Sequence, residues 1–168
     1  MSNIVSTEQR VTRKIEFDAG HRVLGHGSKC RHIHGHRYVA EVTVSASELD
    51  TLGMVVDFSI LKGLVGTWVD ERWDHNILLH EDDPLAKLWQ EMECDDARHA
   101  EMVELFGGKA PFIMGAINPT AEAMAKALFH VAVGLLQDHP IVVKRVRLYE
   151  TPNCWADYSE ELVHGDDR

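Results

Sequence analysis

The chain has 168 residues, a net charge of −10, 45% hydrophobic residues and 26% charged residues, which fits one soluble globular domain spanning residues 1–168. The acidic balance works against binding the phosphate backbone of a nucleic acid, although a phosphorylated small molecule stays open through local charge. No run reaches the ~18 apolar residues of a membrane span, Met1–Arg10 lacks the apolar stretch of a signal peptide, and Cys30, Cys94 and Cys154 show no disulfide spacing, so a cytoplasmic, reducing setting without membrane contact is expected.

Along the chain, Val11, Ile15 and Phe17 alternate with Thr12, Lys14, Glu16 and Asp18, the pattern of a half-buried strand. Gly25-His26-Gly27-Ser28-Lys29 reads as a loop. Alternation resumes with Tyr38, Ala40, Val42 and Val44 on one face. Asp50–Gly53 is a connection, and Met54–Phe58 is expected to be a short apolar strand. Ile60, Leu61, Leu64, Val65, Trp68 and Val69 have helical spacing and predict an amphipathic helix ending near Trp73. The acidic stretch Glu81–Gly108 carries a weaker helical pattern through Leu85, Leu88, Trp89, Met102, Leu105 and Phe106, closed by Gly107-Gly108. Asn118-Pro119-Thr120 starts a helix, with Thr120 as N-cap and Glu122 in the first turn. Ile141–Glu150 is the last clear strand, and Trp155–Tyr158 adds a short one. This order predicts an α+β fold with helices on one face of a mostly antiparallel sheet.

Histidine is abundant, at 11 residues, and several crowd between His21 and His36. His34 and His36 are two apart, so a strand presents both on one face, together with Tyr38, Ala40 and Val42. His21 shares the parity of Val11, Ile15 and Phe17, so a hairpin of the two strands would bring three imidazoles together. Three imidazoles suit Zn²⁺ with a fourth position open, the mark of a catalytic site. The bland alternative is a set of surface-loop histidines. Gly35 allows close approach of backbone or ligand. His26 and His32 are alternative ligands, but three ligands at successive alternate positions of one strand span too far, and His26 reads as solvent-exposed. Cys30 is a fourth ligand, an inert thiol, or a reactive group whose thiolate Lys29, Arg31 and the metal would favour. Cys94 and Cys154 lack such surroundings and read as inert.

Asp74-His75 follows the predicted helix and is either a proton-transfer pair or a helix-end charge. Glu150 shares the parity of Val146 and Leu148, and an inward carboxylate needs a partner. A guanidine-like ligand edge or a core Arg or Lys would serve.

Six separated motifs occur in one order: Phe17-Asp-Ala-Gly-His21, Cys30-x-x-x-His34-Gly-His36, Val56-Asp-Phe58, Trp73-Asp-His75-Asn76, Asn118-Pro-Thr-Ala-Glu122 and Tyr149-Glu-Thr151. In this the chain resembles the 6-pyruvoyltetrahydropterin synthase superfamily over about residues 10–80 and 117–158. The resemblance implies a tunnelling (T-fold) subunit, a four-stranded antiparallel sheet with two helices on one face, in a ring-based homo-oligomer such as a hexamer. It implies Zn²⁺ on His21, His34 and His36, proton abstraction by Cys30 with Asp74 and His75 as catalytic partners, Glu150 as the pterin anchor, Thr120 in the same pocket, and a site formed between subunits. The three residues between cysteine and His-Gly-His resemble the 6-carboxytetrahydropterin synthase branch, on the route to queuosine and other 7-deazapurines. The implied reaction converts 7,8-dihydroneopterin triphosphate to 6-carboxytetrahydropterin, with loss of acetaldehyde and triphosphate. The rivals are the pyruvoyl-forming reaction and a non-catalytic zinc-stabilised pterin-binding module in which Cys30 closes the metal site. An inserted segment at about residues 81–117 departs from the family pattern and reads as a structural elaboration.

Overall fold

The computed structural model describes residues 8–93, 95–105 and 107–160. Cys94, Phe106 and residues 1–7, where no signal peptide is expected, lie outside them. Two long strands, β1 (Gln9–His21) and β2 (His34–Ala46), form an antiparallel hairpin in continuous register from Gln9 opposite Ala46 to His21 opposite His34. Alternation sends Phe17, Ala19 and His21 of β1 inward, with Tyr38, Ala40, Val42 and Val44 of β2, all buried. The outer face carries direct cross-strand pairs: Thr12 with Thr43 at 2.9 Å, Lys14 with Glu41 at 3.0 Å, and Arg37 with Asp18 at 3.3 Å. Both strands are longer than the apolar alternation alone indicates, because it stops where polar histidines take over the inward positions.

The chain then departs from expectation at residues 54–57, which form no strand. Asp57 caps a helix instead, its carboxylate accepting from the Ser59 amide at 2.7 Å. The helix runs through α1 (Phe58–Leu61), a π-helical turn (Lys62–Gly66) and α2 (Thr67–Arg72). The wide turn contains Gly63 and Gly66, both weak helix formers. Past it, β3 (Asn76–Leu79) runs parallel to the end of β1. The region 81–117 holds α3 (Pro84–Glu93) and α4 (Asp96–Leu105), which pack on each other around buried Trp89 and Met102. Its far end returns to the sheet as β4 (Phe112–Ile113), parallel to β3. Helix α5 (Ala121–Leu136) and strands β5 (Val142–Thr151) and β6 (Cys154–Tyr158) complete the fold.

The sheet therefore has six strands in the order β4-β3-β1-β2-β5-β6. This corrects the expected four-stranded antiparallel sheet. The antiparallel part, β1-β2-β5-β6, is present, and β3 and β4 extend it by parallel pairing. The sequence hides them because β3 has only four residues, three of them apolar, and β4 has two, too short for a period to register.

Both long helices face the inward side of the sheet and share one core. Leu61, Val65, Val69 and Trp73 meet Met124, Leu128 and Leu136 across Phe17, Tyr38, Val42 and Leu148. Trp73 is fully buried, with ring neighbours Trp68 at 5.2 Å, Phe17 at 5.8 Å and Phe112 at 6.0 Å, so it ties helix, β1 and β4 together. Trp73→Ala is expected to reduce the free energy of unfolding by about 3–5 kcal/mol, read as a lower urea midpoint at unchanged m. A loss under about 1 kcal/mol would show that this aromatic cluster is not central.

Candidate metal centre

The β1–β2 register stands His21 opposite His34 and Ala19 opposite His36. The three imidazoles meet on the inward face, each offering a ring nitrogen, and those nitrogens lie within 4.8 Å of one another. Gly35 makes this approach possible: a Cβ there would lie 3.1 Å from the Ala19 carbonyl oxygen, tighter than backbone readily tolerates.

Two contacts fix the ring tautomers. The Nδ1–H of His21 donates to the Pro119 carbonyl at 2.6 Å, and the Nδ1–H of His34 donates to the His32 carbonyl at 2.7 Å. A carbonyl only accepts, so in each ring the proton sits on Nδ1 and the Nε2 lone pair is left free. His21 Nε2 is buried and has no hydrogen-bond partner among the described residues. Burial pushes His21 below the ordinary histidine range, against the pull of the Pro119 carbonyl, and burial lowers His36 against the pull of Glu150. Neutral imidazoles with inward lone pairs and one orphaned buried nitrogen are what a divalent cation requires. Neither Cys30 nor another carboxylate or thiol among the described residues joins the three-nitrogen set.

The Glu150 carboxylate stands beside the cluster, with Oε1 3.4 Å from His21 Nε2 and 3.7 Å from His36 Nε2. Among the described residues it has no Arg or Lys ion-pair partner, which speaks against the core-cation alternative. Tyr38 forms the buried floor, its ring 5.9 Å from His21 and 5.6 Å from His36, and burial holds its hydroxyl firmly in the neutral form. Thr120 caps α5, accepting from the Ala123 amide at 3.3 Å, one residue from the carbonyl that orients His21. His26 and His32 are exposed and contribute no ring nitrogen to the cluster.

Cys30 is a free, half-buried thiol on the 3-10 turn Lys29–Arg31. Cys154, expected to be inert, is free and exposed. Asp74 and His75 do touch: His75 Nδ1 donates to Asp74 Oδ2 at 2.6 Å, while Asp74 Oδ1 accepts from the Asp18 amide at 2.8 Å. Burial raises the Asp74 pKa, but the Asp18 amide, His75 and Lys109 outweigh it and hold the carboxyl below its usual range. His75 adopts φ 51°, a left-handed conformation, and its side chain is well exposed. It lines a hollow of about 430 Å³ whose wall also holds Asp18, Ala19, Gly20, Gly35, His36 and Arg37. Asp18, Gly20, Gly35 and Arg37 have the parity that points away from the three imidazoles, and neither Asp74 nor His75 joins the three ring nitrogens in one chain.

The residues that hold the cluster in place were not evident from sequence. Four consecutive residues at the end of β1 are each tied down. His21 meets Pro119 as described, and Arg22 makes a fork of two bonds to Asp83. The Val23 amide donates to the Cys30 carbonyl at 2.8 Å. Leu24 exchanges two bonds with the Asn118 side chain, at 2.7 and 3.0 Å. Asp83 lies near the start of the region 81–117 and Asn118 just past its end, so both ends of that region grip the strand that carries His21. Asp83 is fully buried and also accepts from the Leu85 amide at 2.8 Å, capping α3. Asp83-Pro84 is a legible helix start, but its link to Arg22, 61 residues away, is not.

A family model described as 6-pyruvoyl tetrahydropterin synthase matches residues 10–161. The chain belongs to the 6-pyruvoyl tetrahydropterin synthase family. It is 41% identical over 149 residues to a 6-carboxy-5,6,7,8-tetrahydropterin synthase of Rickettsia bellii, covering 88% of this chain and 98% of that protein. The crystal structure of an uncharacterized protein from Wolinella succinogenes superposes with a TM-score of 0.78 at 25% identity, covering 93% of this chain and all of that one. The structure of Caenorhabditis elegans 6-pyruvoyl tetrahydropterin synthase does so with a TM-score of 0.62 at 21% identity, over 92% of this chain and 97% of that one, a likeness of fold. The fold is thus the family's T-fold, with β3 and β4 added to the antiparallel sheet.

The Arg22–Asp83 pair provides a test of the strand's anchoring. Asp83→Ala leaves a largely buried guanidinium unpaired and is expected to cost about 3 kcal/mol of stability by urea unfolding. Zinc affinity, measured by chelator competition, should fall about tenfold or more. An unchanged unfolding midpoint and unchanged zinc affinity would contradict the anchoring role.

Proposed function

We infer that this chain is a zinc-dependent lyase that converts 7,8-dihydroneopterin triphosphate to 6-carboxytetrahydropterin, acetaldehyde and triphosphate. The observation that carries the reading is the buried Nε2 of His21, without a hydrogen bond among the described residues, converging with His34 and His36 beside the Glu150 carboxylate. The 41% identical relative bears the name of the carboxy-forming enzyme.

His21, His34 and His36 would hold Zn²⁺, which when bound supplies Lewis-acid stabilisation to negative charge on the side-chain oxygens of the pterin. Glu150 accepts hydrogen bonds from the amino-pyrimidine edge, a role supported by its having no Arg or Lys ion pair among the described residues. Thr120 lines the same pocket. Cys30 takes a proton from the substrate side chain, and its place outside the three-nitrogen set argues against a closed structural zinc site. Asp74 keeps the proton of His75 on Nδ1, leaving Nε2 at the exposed end of the ring to accept and return protons.

Because Asp74–His75 serves no cluster in its own chain, this mechanism needs a second copy. Two free sheet edges support such an assembly. Among the described residues, β1 has no strand partner opposite β2 until Ala19, and β6 pairs only with β5. Antiparallel addition of one edge to the other would close copies into a ring, and a ring-based homo-oligomer, a hexamer by resemblance, is the proposed state. Among the described residues no helix is long and apolar enough to cross a membrane. The free thiols Cys30 and Cys154 support a cytoplasmic setting. The partner is the small-molecule pterin triphosphate rather than nucleic acid or membrane, and the product belongs on the route to queuosine and other 7-deazapurines.

The zinc-loaded protein should release acetaldehyde and a carboxypterin from 7,8-dihydroneopterin triphosphate, identified by mass spectrometry. Cys30→Ala should lower kcat at least about 100-fold, the lower range for a proton-transfer group, with zinc content unchanged. A pyruvoylpterin without acetaldehyde would shift the reading to triphosphate elimination alone. Bound zinc with no turnover would leave a pterin-binding module.

A further inference from the structure

Lys109 ties the region 81–117 to the Asp74–His75 turn. Helix α4 is followed by Gly107 and Gly108, both left-handed, at φ 68° and 84°. The Gly107 amide donates to the Glu104 carbonyl at 3.0 Å, and the Gly108 amide donates to the Val103 carbonyl at 2.6 Å. Glycine takes up that geometry without steric cost, so the helix can end sharply there. The chain continues toward β4 with Lys109 half-buried. Its Nζ donates to two backbone carbonyls, Asp70 at 3.3 Å and Asp74 at 2.5 Å.

Both carbonyls belong to the end of α2, where donors run short. The amides of Trp73 and Asp74 converge on the Val69 carbonyl, at 2.8 and 2.9 Å, and pass over that of Asp70. The last carbonyls of a helix carry partial negative charge, and a cation beside them is favourable. An ammonium has three donors and can serve two carbonyls at once.

His75 comes next, and among the described residues it is the one non-glycine residue with a positive φ. A left-handed conformation is disfavoured for a residue with a Cβ, and it persists where the surroundings over-determine it. Three elements supply that constraint. From β1, the Asp18 carbonyl accepts from the His75 amide at 2.6 Å, and the Asp18 amide donates to Asp74 Oδ1 at 2.8 Å. At the start of β3, the Asn76 side chain donates to the Arg72 carbonyl at 2.9 Å. From the region 81–117, Lys109 holds the carbonyl of the peptide that leads into His75, and holding that peptide restrains the His75 φ. We propose that Lys109 is a positioning residue for the Asp74–His75 pair: its ammonium clamps the Asp74 carbonyl, so that His75 keeps its left-handed turn and its Nδ1–H stays on the Asp74 carboxylate. The proposal rests on the reading of Asp74–His75 as the proton-transfer pair. Lys109 touches backbone alone, and what it governs is where the His75 Nε2 stands.

Lys109→Met keeps the apolar stem and removes the donor. With zinc-loaded protein and 7,8-dihydroneopterin triphosphate, kcat should fall at least about tenfold while KM changes by less than about twofold and zinc content stays the same. In a His75→Ala background the same substitution should have no further effect on kcat, because Lys109 works through His75. Hydrogen exchange followed by mass spectrometry should be at least about tenfold faster over residues 70–79 in Lys109→Met, with residues 38–44 of β2 unchanged. Lys109→Gln, shorter and uncharged, should show the same losses and serves if Lys109→Met does not fold. Lys109→Arg, which keeps a cationic donor, should recover most of kcat. Equal kcat and equal exchange in the wild type and Lys109→Met, or a loss that is just as large in the absence of His75, overturns the proposal. Faster exchange over residues 70–79 in Lys109→Met, with kcat unchanged by His75→Ala, would support the clamp and overturn the proton-transfer reading of the pair.

Discussion

The register between β1 and β2 is the constraint on which the rest depends. Opposing His21 to His34, and Ala19 to His36, puts three imidazoles on the one inward face where a cation could be held. A slip of one residue would turn one strand's histidines to the opposite face, and no other contact in the molecule could restore the cluster. Several features keep that register. The inward apolar positions of both strands are buried in one core. The outer face adds matched cross-strand pairs at Thr12–Thr43 and Lys14–Glu41. Gly35 opposite Gly20 lets the strands close where side chains would hold them apart.

Register alone does not orient the rings. That falls to backbone carbonyls at Pro119 and His32, which fix the protons of His21 and His34 on the side away from the cluster. Pro119 can do this because the start of α5 is fastened to the end of β1 through Asn118 and Leu24. Arg22 and Asp83 fasten the start of the region 81–117 to the same four residues. The two ends of the region 81–117 therefore support the strand bearing the most buried of the three imidazoles. Buried ion pairs add little net stability, yet losing one partner is costly, so a pair like Arg22–Asp83 confers position more than stability.

Much of this was legible in the residues. The alternation in β1 and β2, the Thr120 cap and the convergence of His21, His34 and His36 follow from periodicity and capping chemistry, which act over a few residues. The errors and omissions lie where the deciding partner is distant or the element is short. Met54–Phe58 looks like a strand until Asp57 is recognised as a cap that starts the helix early. Strands β3 and β4 are too short to show a period and exist because β1 offers an edge to pair with. Arg22, Asp83 and Asn118 are ordinary polar residues in sequence, and only tertiary contact gives them a role. The separation of Asp74–His75 from the cluster in one chain is likewise a matter of strand parity, visible once the sheet is assembled.

The central claim is an open metal site held by three imidazoles, with the Cys30 thiol outside the coordination sphere. X-ray absorption at the zinc edge on zinc-loaded protein tests it most directly. The account predicts three imidazole nitrogens at about 2.0–2.1 Å with the remaining position filled by an oxygen donor. A sulfur at about 2.3 Å, lost in Cys30→Ser, would close the site and contradict it.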